Sequence, residues 1–289
     1  MSKASWLGSA EKLPWSAFLL SHHQRENKLK PIQHGARISH GTLMGKELYC
    51  TEDSDGSIVV TQRGNKRLLS FGSKLEQSSV LIGKPYYLIH EYTQIMLLGL
   101  LFVDAKRITI LGLGGGGLVH CLSHYFPRST IQVIEIRQAV IDIAYDWFDL
   151  PRLDNLEVIN DDAMHYLSKL KQGSSDIIFS DLYEAEGMSA CQAQQEFIVA
   201  CYQALSASGC LVLNFHQKPY RSSLLMNTIE SFFDEIIVHD SEDLPGEQNS
   251  IMFCCKRAVA LHQPEVNWHA ESLTKLVKMP LMQYYRELV

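Results

Sequence analysis

The chain lacks most of the features that would take it out of the ordinary globular class. No C-x-x-C pair occurs, and the seven cysteines (an odd number) sit mostly in apolar stretches. That excludes a disulfide framework and a cysteine-based zinc site, and fits small buried hydrophobes in a reducing compartment. No apolar run is long enough to span a bilayer: the most apolar one, Ile95–Val103, is nine residues long and follows His90, Glu91 and Gln94. The N-terminus has no basic-then-apolar signal pattern. Phosphate-loop lysines, serine-nucleophile motifs and internal repeats are all missing. Nor is there an excess of positive charge, since 26 Lys and Arg face 32 Asp and Glu for a net −6. Non-specific nucleic-acid binding over the whole surface is therefore disfavoured. The expectation is a cytoplasmic protein with neither a membrane nor a nucleic-acid partner.

What is present divides the 289 residues unevenly. Residues 1–46 read as an N-terminal arm, with Trp6, Leu7, Leu13, Trp15, Phe18, Leu19 and Leu20 in a short amphipathic segment. Up to residue 40 the arm holds six Lys and Arg against two Glu, leaving 20 basic and 30 acidic residues in the acidic remainder. Residues 47–85 read as a small β unit, in which short strands are separated by Asp55–Gly56 and Gly64–Asn65 turns. Residues 86–260 alternate between strand and helix after a first helix over 86–102. Strands are predicted at 108–111, 130–135, 156–160, 176–181 and 210–215, with helices at 117–126, 137–148, 162–171, 191–206 and 220–233. This βα alternation predicts a mostly parallel sheet covered on both faces. Two last strands, 235–239 and 250–255, are joined by a loop too short for a crossover helix, so they should pair antiparallel. Residues 261–289 read as a C-terminal helical extension, interrupted at Pro280.

The chemistry concentrates where strand 108–111 runs into Gly112–Leu–Gly114–Gly115–Gly116–Gly117. Glycines there let the chain reverse under a ligand, and the helix that follows presents its first N–H groups. G-x-G-x-x-G alone is a weak signal, compatible with a bare strand–helix connection. Glu135 ends the second strand, where a carboxylate can accept both hydroxyls of a ribose or simply be solvated. Asp162, beside Ala163 after the third strand, can reach an adenine amine or cap the helix, with Asp161 as the competing cap. Asp181 ends the fourth strand, at the edge where open α/β sheets place their chemistry. Four successive strand ends carrying such groups in order make a strong signal for an adenosine-type site. His120 and His124 stand at metal-compatible i, i+4 spacing without an evident third ligand, so no metal is expected. His216, after the fifth strand, reads as a pocket-edge or surface residue.

With these residues in place, the chain from roughly Glu47 to Lys256 resembles the spermidine synthase (polyamine aminopropyltransferase) family. The likeness is carried by Gln77–Ser–Ser, Ile89–His90–Glu91, Ile110–Leu–Gly–Leu–Gly–Gly–Gly–Gly117, Val133–Ile–Glu–Ile136, Asp162–Ala163 and Ile177–Ile–Phe–Ser–Asp181–Leu–Tyr–Glu184. It implies a seven-stranded Rossmann-like sheet of the class I methyltransferase type behind a small N-terminal β-hairpin unit. It also implies a site for an adenosyl sulfonium and an amine, lined by Gln77, His90, Gly112, Gly114, Gly115, Gly116, Glu135, Asp162, Ala163 and Asp181, and a possible homodimer.

The departures carry information too. Gly115 stands where family synthases have an aspartate, Ile89 where they have a tyrosine, and Glu184 and Glu186 replace the acidic Pro/Gly loop. A carboxylate displaced by about 1 Å can cost on the order of a hundredfold in rate. Decarboxylated S-adenosylmethionine ends in an ammonium that wants an acid beside it. The intact cofactor brings its own carboxylate, which bare N–H groups at a helix start would favour. The sequence therefore leans to S-adenosylmethionine and methyl transfer to an amine or other small acceptor. Asp181 would orient the acceptor and accept its proton, Tyr183 and Glu184 would contact it, and 182–189 would form a lid. Aminopropyl transfer from the decarboxylated cofactor and a non-catalytic nucleoside-binding protein are the alternatives.

Overall fold

The computed structural model describes residues 45–72, 77–184, 187–244 and 247–289, without the side chains of 242–248. The amphipathic segment expected in the first 40 residues, and Glu186, lie outside the described residues.

The chain opens with an antiparallel meander of β1 (Lys46–Asp53), β2 (Gly56–Arg63), β3 (Lys66–Phe71) and β4 (Ser78–Leu81), paired in that order. Its inward residues Ile58, Val60, Leu69, Phe71 and Val80 form a small core with Val140, Ile143 and Phe148. The helix expected over 86–102 is shorter: α1 spans Glu91–Met96 and continues as a tight 3₁₀ turn, Leu97–Leu101. The reason is upstream, where Leu88 is held in an extended bridge with Val80 and Tyr87 closes a turn onto the Lys84 carbonyl. A backbone committed to those bonds cannot also start a helix at residue 86.

Then β5 (Arg107–Leu111), α2 (Gly117–Tyr125), β6 (Thr130–Glu135), α3 (Gln138–Trp147), β7 (Leu156–Asn160), α4 (Ala163–Lys169) and β8 (Ser175–Ser180) follow. A two-residue hairpin, β9 (Tyr183–Glu184) and β10 (Gly187–Met188), leads to a 3₁₀ turn at Ala190–Ala193 and to α5 (Gln195–Ala204). The expected helix over 191–206 is thus split at Gln194, whose backbone is extended. Strand β11 (Leu205–Phe215) starts earlier than expected and carries a register break between Leu205 and Cys210. The helix predicted over 220–233 begins only at α6 (Leu224–Phe232), where the Ser223 hydroxyl accepts the Met226 N–H and caps it. Strands β12 (Glu235–Leu244) and β13 (Glu247–Cys255), then α7 (Pro264–Val277) and α8 (Leu281–Leu288), complete the chain.

Seven strands form one sheet in the order β12-β13-β11-β8-β5-β6-β7. The last two strands pair antiparallel as expected, and β13 inserts between β12 and β11. Alternation along the strands separates two cores. Ile108, Ile110, Ile177, Phe179 and Val212 face one side, Leu111, Ile178, Leu211 and Leu213 the other. Helix α3 serves two cores: Val140 and Ile143 join the meander's core, Ile141 and Ala144 the sheet's. The ends of the five parallel strands, β5, β6, β7, β8 and β11, therefore open on one edge, where the meander reaches the segments that follow β5 and β6.

Candidate active site at the carboxyl edge of the sheet

The glycine turn is shaped by close approaches. At Gly112 φ is +95°, and a Cβ would lie 2.3 Å from the Asp181 carbonyl oxygen, so only glycine lets the ends of β5 and β8 come together. At Gly115 a Cβ would come within 2.9 Å of two ring carbons of Phe148 and 3.1 Å of Ser78 Oγ. Phe148 is buried, and its carbonyl accepts a hydrogen bond from His120 Nε2 at 2.8 Å. No side chain of any charge fits at residue 115 unless that ring moves. Gly114 and Gly116 complete the turn with positive φ.

In the turn that leads into α2, three N–H groups are already engaged. Gly115 N–H donates to Ser78 Oγ at 3.1 Å, Gly116 N–H to the Leu113 carbonyl at 3.0 Å, and Leu113 N–H to Glu135 Oε2 at 3.0 Å. These three N–H groups are satisfied by the meander, by the second strand end and by the turn's own Leu113 carbonyl, because a buried turn must satisfy its own donors. Whatever excludes an acid at residue 115 is thus steric.

Glu135 ends β6 buried, with Oε1 accepting the Arg137 N–H at 3.0 Å. Burial raises its carboxyl pKa, and backbone N–H groups of Arg137, Leu113 and Gly114 pull it back. A carboxylate has about four lone-pair positions, so acceptor capacity remains for a hydroxyl. Arg137 itself turns outward to Asp53 with bonds of 3.0 and 2.7 Å, donates to the Gly56 carbonyl at 2.8 Å, and lies over the Phe71 ring. The meander is thereby clasped to the residue two positions past Glu135.

Asp162 caps α4: its Oδ1 accepts the His165 N–H at 2.9 Å, and buried Ala163 begins the helix. Asp161 is not the cap. It accepts the Asp162 N–H and pairs with His165 and Lys169. Gln77 is half-buried, its N–H on the Leu69 carbonyl, one residue before the Ser78 that touches the turn. His90 precedes α1, with Nε2 2.9 Å from Ser79 Oγ.

Asp181 is the centre of the cluster. Its backbone N–H donates to the Leu111 carbonyl at 2.9 Å, fixing it beside Gly112. Oδ1 accepts from Asn214 Nδ2 at 2.8 Å, and Oδ2 takes a longer bond, 3.4 Å, from the Tyr92 hydroxyl. Burial raises its pKa, while Asn214, Tyr92 and the nearby His90 favour the charged form. Tyr183 follows on the hairpin, its hydroxyl donating to Asn249 Oδ1 at 3.3 Å, and burial pushes that phenol's pKa up. Glu184 is exposed on the same hairpin.

Two members of this cluster escaped the sequence reading. Tyr92 lies two residues past His90, and Asn214 is the last residue but one of β11, two before the exposed His216. A lone polar residue inside an apolar strand run, as Asn214 stands between Leu213 and Phe215, was the available signal. His120 and His124 serve packing: one holds Phe148, the other stacks on Tyr86 with ring centres 4.0 Å apart. Among the described residues no group of three or more His, Cys, Asp or Glu could hold a metal ion, and no helix is long and apolar enough to cross a membrane.

The chain has relatives in sequence and in fold. The sequence profile of the spermine/spermidine synthase domain matches residues 90–243. The chain is similar to a polyamine aminopropyltransferase of Neisseria meningitidis serogroup A, 30% identical over 195 residues, covering 66% of this chain and 72% of the relative. It is also similar to an eEF1A lysine and N-terminal methyltransferase of Xenopus laevis, 26% identical over 229 residues and covering 73% of this chain but 33% of that longer protein. In fold it is similar to the crystal structure of a probable spermidine synthase from Corynebacterium glutamicum, with TM-score 0.67, 20% identity, and coverage of 81% and 88% of the two chains.

Proposed function

The chain belongs to the spermine/spermidine synthase family, whose domain spans more than half of it, and from that premise we propose a transferase that moves a methyl group from S-adenosylmethionine to an amine. The observation that carries the methyl reading is Gly115. Phe148 and Ser78 fill the space where an aspartate would have to stand to meet the terminal ammonium of a decarboxylated cofactor. An intact amino-acid end needs no such partner, and its carboxylate would be repelled by one.

When bound, S-adenosylmethionine supplies a methyl carbon already activated by its positive sulfur. The protein's own residues would do the rest. Glu135, with acceptor capacity left over from its backbone bonds, would take a ribose hydroxyl. Asp162 would reach the adenine amine beside Ala163, and Gln77 and His90 would line the donor's other side. Asp181 would orient the amine and accept its proton at Oδ2, the oxygen that Tyr92 reaches only at 3.4 Å. A pKa raised by burial makes it a stronger base than a solvated carboxylate. Tyr183 and Glu184 on the hairpin would contact the acceptor. Alignment of the two reactants is expected to supply most of the acceleration.

Aminopropyl transfer is the second reading, favoured by the 30% identity to a polyamine aminopropyltransferase. Titration calorimetry with the two sulfonium donors separates them. The methyl reading expects the intact cofactor to bind at least tenfold more tightly, and the reverse order would transfer the assignment to aminopropyl chemistry. Binding of neither would sink both.

A further inference from the structure

Two segments leave the carboxyl edge of the sheet beside Asp181, and their charges are opposite. The β9–β10 hairpin that follows Asp181 exposes Glu184. The loop that follows β11 reads His216–Gln–Lys218–Pro–Tyr220–Arg221–Ser–Ser–Leu224, with Lys218 and Arg221 and no Asp or Glu, in a chain of net charge −6. Both cations are exposed. Strand pairing sets the two segments side by side. Leu213 of β11 is level with Ser180 of β8, and Asn214 donates to Asp181 Oδ1 at 2.8 Å. Tyr183 reaches Asn249 on β13, the strand on the far side of β11, so the hairpin crosses close to where the loop begins. Lys218 is four residues past Asn214, so the two Cα atoms are at most about 14 Å apart.

The loop is shaped by its own bonds. The Ser223 N–H donates to the Tyr220 carbonyl at 2.9 Å, and the Ser223 hydroxyl then caps α6. This closed turn holds Tyr220 85% exposed and Leu224 68% exposed, while the next residues, Leu225 and Met226, fill the core. An aromatic and an aliphatic side chain held in water beside two cations form a surface that a partner can cover.

The charges select among acceptors. A free polyamine is cationic throughout, so Lys218 and Arg221 oppose its approach. A polypeptide can bring a lysine to Asp181 and acids to the loop at once. A lysine also carries its nitrogen on a four-carbon stem. Its backbone can therefore stay on the rim against Tyr220 and Leu224 while the amine reaches inward, whereas an N-terminal amine would have to bring backbone in with it.

We propose that the acceptor amine is a lysine of an acidic polypeptide segment, docked on the loop of residues 216–224 with acids within about four residues of the reactive lysine. This rests on the reading that Asp181 takes the acceptor. In the transfer the lysine nitrogen's lone pair bonds the methyl carbon, the carbon–sulfur bond breaks with its electron pair left on sulfur, and Asp181 takes the nitrogen's proton.

The test uses the full chain and three fluorescein-labelled heptapeptides, acetylated and amidated, whose central lysine is flanked by aspartates, glutamines or arginines. Anisotropy read without any donor should rank the aspartate peptide about fivefold tighter than the glutamine one at low salt and the arginine one weakest, the gap closing at about 0.5 M salt. Lys218→Glu combined with Arg221→Glu should reverse that order, which a loss of folding cannot do. Tyr220→Ser should weaken the aspartate and glutamine peptides alike, by about threefold. With S-adenosylmethionine added, mass spectrometry should find the lysine of the aspartate peptide methylated. Equal affinity for the three peptides, an order unchanged in the reversed-charge variant, or spermidine binding more tightly than the aspartate peptide overturns the inference. So does a bound donor with a bound peptide that stays unmethylated. If the peptides bind in the expected order but neither sulfonium donor binds, the transferase reading fails and the docking surface stands. If a donor binds and no peptide does, the docking inference fails alone.

Discussion

At the scale of single residues, Gly115 and Glu135 show how far a local pattern can be read. Four glycines in a row predict a tight turn, and the turn is there. Gly115, however, is held to glycine by Phe148, 33 residues away in the chain. Gly115→Asp is therefore expected to destabilise the protein by about 1–3 kcal/mol, the usual cost of overpacking a well-filled site. Urea unfolding followed by circular dichroism measures this, and an unchanged midpoint would show that the Phe148 ring gives way freely. Glu135 was legible as a strand-end carboxylate, but its hold on Leu113 and Arg137 N–H groups was not. Those bonds make it part of the turn's framework as well as a candidate ribose partner.

Between elements, the clasp of Arg137 on Asp53 joins the β1–β2 turn to the end of β6. Arg137 is buried, so losing its partner leaves a guanidinium short of acceptors in a poorly solvated place. Asp53→Ala should cost on the order of 2 kcal/mol, with part of the charge still reaching the Gly56 carbonyl. The pH dependence has a definite sign. The hydrogen bond from Arg137 lowers the Asp53 pKa below its ordinary 3.8. The stabilisation is therefore present in full above that value and is lost as pH falls through the folded-state pKa. Wild type minus Asp53→Ala, compared by thermal melts, should show a stability difference that is constant near neutrality and shrinks below about pH 4. A difference that grew on acidification would contradict the clasp. Burial acts oppositely on Glu135 and Asp181, whose raised pKa values favour the fold less as pH climbs through them.

On the scale of the whole molecule, the two C-terminal helices belong to the main core. Ala270, Leu273, Val277 and Leu281 are fully buried within it. The Tyr284 hydroxyl donates to Gln94 Oε1 at 3.2 Å, and the Tyr125 hydroxyl to the Val277 carbonyl at 3.3 Å. Gln94 also donates to the Leu88 carbonyl, so α8 supports the segment that ends at His90 and Tyr92. A chain truncated after Pro264 should lose cooperative unfolding altogether, because several large apolar side chains would lose their cover at about 1.5–3 kcal/mol each. Differential scanning calorimetry would show a sharp transition in the full chain and none in the truncated one; two similar transitions would make the helices an appendage.

The sequence by itself determined what depends on nearest neighbours and on order along the chain. Apolar alternation and glycine punctuation marked the parallel strands, the meander and the antiparallel last pair. Strand order then put Gly112, Glu135, Asp162 and Asp181 on one edge, since parallel strands end on the same side. Element starts were misplaced where a bond claimed the backbone, a distant one at Leu88 from Val80 and a local one at the Ser223 cap of α6. Only the tertiary structure decided which donors and acceptors were already taken. It set Ser78 on the Gly115 N–H, Phe148 against Gly115, and Tyr92 and Asn214 on Asp181. Hydrogen bonds and excluded volume act between atoms brought together by folding, at separations along the chain that no local pattern records.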